Sequence, residues 1–153
     1  MGAFKEPHGG ELKDLYLEPE AAEEAKRAAR GQKSWDLTER QLCDLELLLN
    51  GAFSPLESFL GRADYGRVVA EMRLVDGTLW PIPITLDVTP AFAAGLEVGE
   101  TLALRDREGV LVATIAVDEV YEPDRQAEVL AVFGTADRAH PGVRHQLAEA
   151  GSV

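Results

Sequence analysis

Between Cys43 and Leu60 the chain reads CDLELLLNGAFSPLESFL, and this stretch admits few folds. Thr38, three residues before Gln41, forms a capping box, so a helix is expected to start there. Leu42, Leu45, Leu48 and Leu49 then recur at helical spacing and make one apolar stripe. Asn50-Gly51 tolerates the left-handed turn that follows a helix C-terminus. Ser54 with Glu57 reads as a second capping box, with Pro55 at the first helical position, where its missing N–H costs nothing. The spacing predicts two helices around a glycine stop, both burying leucines. None of their side chains is an obvious chemical group.

Around this stretch the chain changes period. Residues 1–7 are expected to be loose, and Pro7-His8-Gly9-Gly10 marks a turn before Leu12, Leu15, Tyr16 and Leu17, a short apolar strand or anchor. Glu20 to Arg30 places acids early and bases late, as the helix dipole favours, and Gly31 ends that exposed helix. Asp64 is expected to cap a helix through Met72. Asp76-Gly77 signals a tight hairpin. Trp80, Ile82, Ile84, Leu86 and Val88 then alternate with Pro81, Pro83, Thr85 and Asp87, a strand with one apolar face. The two prolines lie on one side and assign that side to a sheet edge.

Further on, Thr89-Pro90 opens a helical turn closed by Gly95. Thr101–Arg105 and Val110–Tyr121 read as strands around the hairpin Asp106-Arg107-Glu108-Gly109. Asp124 is expected to cap a helix ending near Ala131, and Pro141 to start a last one, Gly142 to Ala150. Helices, then antiparallel strands, then helices again predict an α+β fold: a small mixed sheet or partly open barrel flanked by helices. At 153 residues the chain fits one domain.

Charge and residue inventory narrow the function. The formal net charge is −12, and no basic cluster exceeds Lys26-Arg27 followed by Arg30. That argues against a phosphate-tracking nucleic-acid surface and against anionic membrane. No apolar run is long enough to span a bilayer, and the first residues lack a signal-peptide order, so the expected location is cytoplasmic. The single cysteine excludes an internal disulfide and a multi-cysteine zinc site. Beside Leu42 and Leu45, Cys43 is expected to be a buried, inert thiol. His140 and His145 flank Pro141 without a third ligand at matching spacing, and His8 stands apart. Asp44 and Glu46 flank leucines but do not form a tuned acid–base pair. Neither glycine-rich phosphate loop is present, nor is Gly-x-Ser-x-Gly. The residues alone describe a helix-and-strand domain without visible catalytic equipment.

Several motifs, spread in order along the chain, carry a resemblance. They include Pro7-His8-Gly9-Gly10, Arg40 to Leu48, Gly51-Ala52-Phe53-Ser54-Pro55-Leu56 with Phe59-Leu60, and Asp64-Tyr65. They continue with Asp76 to Ile84, Leu86-Asp87-Val88, Val120-Tyr121 with Asp124, Phe133 to Asp137, and His140-Pro141-Gly142-Val143. In these the chain resembles the N-terminal, PUA-like domain of sulfate adenylyltransferases (ATP sulfurylases). Ala52 departs from the glycine usual there. The resemblance implies a small mixed barrel with flanking helices. It also implies a parent enzyme that joins ATP and sulfate into adenylyl sulfate and diphosphate, for sulfate assimilation, in a following nucleotide-binding domain.

That domain's Gln-x-Arg-Asn, His-x-x-His and Gly-Arg-Asp stretches are not found here. Gly61-Arg62-Ala63-Asp64 carries an extra residue in the wrong region. No catalytic, cofactor-binding or metal-binding residue is therefore assigned. ATP is expected for the parent and no cofactor for this chain. The expected partner is a catalytic sulfurylase domain or subunit, with possible homo-oligomerisation. Phe53, Ser54, Pro55 and Leu56 are candidates for the domain core or an interdomain contact. His140 and Pro141 are candidates for the domain junction, or simply a loop before a helix. Alternatives are a free-standing PUA-like binding module, or part of a bifunctional sulfurylase and adenylyl-sulfate kinase.

Overall fold

Thr38 and Gln41 form the expected reciprocal cap: the Gln41 N–H donates to Thr38 Oγ1 (3.2 Å), and the Thr38 N–H donates to Gln41 Oε1 (3.0 Å). In the computed structural model, which describes residues 6–148, this cap starts a helix at Glu39. The chain gathers into two compact units, residues 6–59 with 99–117 and residues 60–98 with 118–148. It is an α+β fold, and among the described residues the strands form an open three-stranded mixed sheet rather than a closed barrel.

The first unit contains α1 (Pro19–Ala28), a 3-10 turn (Ala29–Gly31), β1 (Ser34–Asp36), α2 (Glu39–Leu49), β2 (Thr101–Arg105) and β3 (Leu111–Ala116). β2 lies centrally, parallel to β1 and antiparallel to β3. Leu45 and Leu48 of α2 are buried with Leu37, Leu56, Leu102 and Leu104. Each such side chain contributes on the order of 1.5–3 kcal/mol through the apolar surface it removes from water. The helix stops as expected, with Gly51 at φ +79°. A Cβ there would approach the Lys13 carbonyl oxygen to 2.7 Å, so the N-terminal segment lies where only glycine fits.

Local chemistry misled in four places within this unit. No helix follows Ser54-Pro55. The Ser54 hydroxyl donates to the Gly51 carbonyl (2.6 Å) and accepts from the Lys13 N–H (2.9 Å), so it does not act as a helix cap. Cys43 is exposed, because the buried face of α2 is centred on Gln41, Leu45 and Leu48. The segment from Leu12 to Leu17 forms no strand, although the Leu15 N–H donates to the Leu49 carbonyl (3.0 Å). β3 is shorter than expected, since it pairs only as far as β2 accompanies it, from Leu111 to Ala116.

The second unit contains α3 (Arg62–Glu71), α4 (Pro90–Ala93), α5 (Arg125–Phe133) and α6 (Pro141–Ala148). Thr89 caps α4 and Asp124 caps α5, as expected, through side chains that accept from Phe92 and Ala127 N–H. Gly134 ends α5 at φ +68°. Asp64 does not cap α3; it lies inside the helix and accepts from the Val75 N–H at 2.7 Å. The stretch from Trp80 to Val88 belongs to no strand and bends at Ile82. Its alternation also fails, for Ile82 is 48% exposed while Thr85 and Asp87 are buried. Prolines 81 and 83 remove two ladder donors, and Asp87 turns inward to meet a cation. Of the expected end regions, residues 1–5 and the end of the last helix, 149–150, lie outside the described residues.

Candidate functional site

In the second unit Asp87, Arg125 and Glu128 meet in the interior. Arg125, first residue of α5, pairs through Nη2 with Asp87 and through Nη1 with Glu128 Oε2 (2.9 Å). All three side chains are 12% exposed or less. The Tyr65 hydroxyl donates to Glu128 Oε2 (2.8 Å), Gln146 Nε2 donates to Glu128 Oε1 (2.6 Å), and Thr85 Oγ1 donates to Asp87 (3.2 Å). Four segments of the unit thus converge on two carboxylates. This is how buried charge becomes tolerable.

The chemistry available to this cluster is limited. Burial alone would lower the Arg125 pKa, but Asp87 and Glu128 outweigh it and hold the guanidinium above its ordinary value. Desolvation, reinforced by Glu128, pushes the Tyr65 phenol up, and desolvation with Asp87 does the same to Tyr121. Tyr121 donates to the Leu60 carbonyl (2.8 Å). The guanidinium is committed to protein carboxylates and the phenols stay neutral, so the cluster ties elements together rather than gripping a phosphate.

The residues singled out from the sequence fall into two groups. Ser54 and Leu56 are buried, and Phe53 and Pro55 half-buried, in the first unit. Pro55 packs so closely under Gly9 that a Cβ on the glycine would come within 2.7 Å of its ring. That accounts for Gly9 of the Pro7-His8-Gly9-Gly10 motif. His140 and Pro141 belong to the second unit, where His140 Nδ1 accepts from the Val143 N–H (3.4 Å) and its ring lies 5.1 Å from that of Phe133. Among the described residues no group of three or more His, Cys, Asp or Glu could hold a metal ion. The first unit has a mostly apolar cavity of about 400 Å³, lined by Leu15, Leu17, Leu49, Phe59 and Leu111 to Ile115 of β3, with Lys26 and Glu57 also on its wall. The cavity and the ionic cluster are the features that reading the sequence missed.

The sequence model for the PUA-like domain matches residues 5–153. The chain belongs to the PUA-like domain family. Its similarity extends to proteins named sulfate adenylyltransferase. One from Eremothecium gossypii is 45% identical over 148 residues, 96% of this chain and 29% of the relative. One from Symbiobacterium thermophilum is 48% identical across 92% of this chain and 36% of the relative. One from Saccharomyces cerevisiae is 44% identical across 95% and 29%. The chain therefore spans about a third or less of the curated relatives it matches. A solved structure, the hexameric APS kinase from Thiobacillus denitrificans, shares 42% identity at a TM-score of 0.71, covering 78% of this chain and 24% of that one. The resemblance to the PUA-like N-terminal domain of sulfate adenylyltransferases stands.

Proposed function

We infer that this chain serves as the non-catalytic N-terminal domain of a sulfate adenylyltransferase. The parent reaction is ATP plus sulfate to adenylyl sulfate plus diphosphate, in cytoplasmic sulfate assimilation. The observation that carries this reading is one of coverage: identity of 44–48% runs through nearly the whole chain yet takes up only 29–36% of relatives bearing that name. Adenylyl transfer needs several positive groups around a triphosphate and a weak nucleophile held in line. The buried guanidinium of this domain, Arg125, is bound to Asp87 and Glu128 instead. The domain's work is then to hold the catalytic part and contribute to contacts between subunits, with ATP bound elsewhere in the parent. Phe53, Ser54, Pro55 and Leu56 serve as core and as support for that contact, and His140 with Pro141 fixes the approach to the junction.

A domain exchange tests this. This chain would replace the matching segment of the Saccharomyces cerevisiae relative, and sulfate-dependent diphosphate release and assembly size would be followed. Retained release at an unchanged assembly size is expected. A soluble, folded chimera without release contradicts the reading. The likeness to a hexameric APS kinase favours a second reading, in which the parent also carries a kinase for adenylyl sulfate. Adenylyl-sulfate-dependent consumption of ATP by the parent decides between the two.

A further inference from the structure

The three strands differ in how their outer edges are finished. β1 is three residues long, ends in Asp36 and is preceded by Lys33, whose ammonium pairs with Glu100. Short strands and flanking charge are the usual protection of a sheet edge. β3, LVATIA, contains no charge, proline or glycine. Its one protective feature is the bulge between Leu104 and Arg105 of β2, where Val112 is the extra residue.

Backbone alternation shows which groups β3 presents outward. The Ala103 N–H donates to the Lys33 carbonyl, and the Leu37 N–H donates to the Arg105 carbonyl, so these two β2 residues bond on the β1 side. Leu102 and Leu104 then bond on the β3 side, opposite Ile115 and Ala113. Thr114 and Ala116, alternating with them, turn their N–H and C=O groups away from the sheet. Among the described residues no backbone group bonds to those four. The same strand lines the apolar cavity, with Leu17, Leu49 and Phe59 on its other walls. An open ladder beside an apolar trough is the arrangement that accepts an added strand: main-chain bonds give affinity, and alternate side chains fill the trough.

We propose that β3 is completed in the parent enzyme by a short extended segment from the part of the polypeptide outside this chain, added along Thr114–Ala116 with its apolar side chains in the cavity. The proposal rests on the reading above, for it draws the segment from the 64–71% of the relatives' length that this chain does not match. A second copy of the chain is the poorer occupant. Each copy carries a net charge of −12, which opposes pairing two of them. The occupant's chemistry follows from the walls, which are mostly apolar but include Lys26 and Glu57: it is free of proline where it bonds Thr114 and Ala116, and apolar at every second position.

Amide hydrogen exchange in the full-length parent enzyme tests this, with Leu102 and Leu104 as references inside the sheet. Thr114 and Ala116 are expected to exchange within about tenfold of those references. Thr114→Pro deletes an outward N–H without touching the ladder to β2. It should speed exchange at Ala116 by about a hundredfold while Leu104 stays slow. Fast exchange at Thr114 and Ala116 beside slow references overturns the proposal. So does protection that disappears when the enzyme is diluted to monomers, which would identify a second copy as the occupant. Sulfate-dependent diphosphate release, measured on the same sample, separates the two inferences. An active parent with an unprotected edge removes only the added strand, and a protected edge in an inactive parent removes only the functional reading.

Discussion

Around the β1–β2–β3 sheet the core is made of leucines, and one flank stays open as an apolar trough. Around α3, α5 and α6 the interior instead closes over ions, with Arg125 held between Asp87 and Glu128. An apolar core loses stability roughly in proportion to the atoms removed, whereas an ionic one fails sharply when a partner is lost. The contrast also separates roles. The ionic cluster has turned both terminal nitrogens of Arg125 and its two carboxylates to its own elements, while the sheet still has backbone groups to offer. A surface for meeting the rest of an enzyme is better built from the second kind.

The largest effect should come from Arg125→Met, which leaves two buried carboxylates without their cation. We expect a loss of about 3–5 kcal/mol in chemical denaturation. An unchanged midpoint would mean that the ionic cluster is not what closes this unit. Leu48→Ala, at a site 2% exposed, should cost about 3 kcal/mol by leaving a cavity in the leucine core. If Leu48→Ala costs more than Arg125→Met, the contrast between the units is broken.

Tyr65 sharpens the comparison through pH. Its native phenol stays protonated while the phenol of the unfolded chain, with an ordinary value of 10.0, loses its proton. The unfolded state then binds fewer protons, so this contribution is complete below pH 10 and declines as the pH climbs beyond it. Tyr65→Phe should cost about 1 kcal/mol at neutral pH and flatten the alkaline fall in stability. The smallest effect is expected at Cys43. Being exposed, it should react with a thiol reagent in the native protein as readily as in urea, with no measurable change in folding.

What could be read from the sequence was what neighbours decide. The capping box at Thr38 and Gln41, the caps at Thr89 and Asp124, and the glycine stop at Gly51 all act within a turn of the chain. What depends on distant partners was not legible. Ser54 looked like a cap until its hydroxyl met the Lys13 amide, and β1 exists only because β2 lies beside it. Asp87 sits at a polar position of an alternating pattern, and only Arg125, far along the chain, explains its burial. The ionic cluster is therefore invisible to periodicity. Family resemblance located the chain correctly but said nothing of which residues hold it together.

The claim that this chain supports a catalytic part without performing the chemistry is tested most directly by the purified chain itself, given ATP, magnesium and sulfate, with diphosphate release followed over time. The account predicts a rate indistinguishable from buffer, with or without sulfate. Sulfate-dependent release that rises in proportion to the chain, and persists after every trace of host adenylyltransferase is removed, would contradict it.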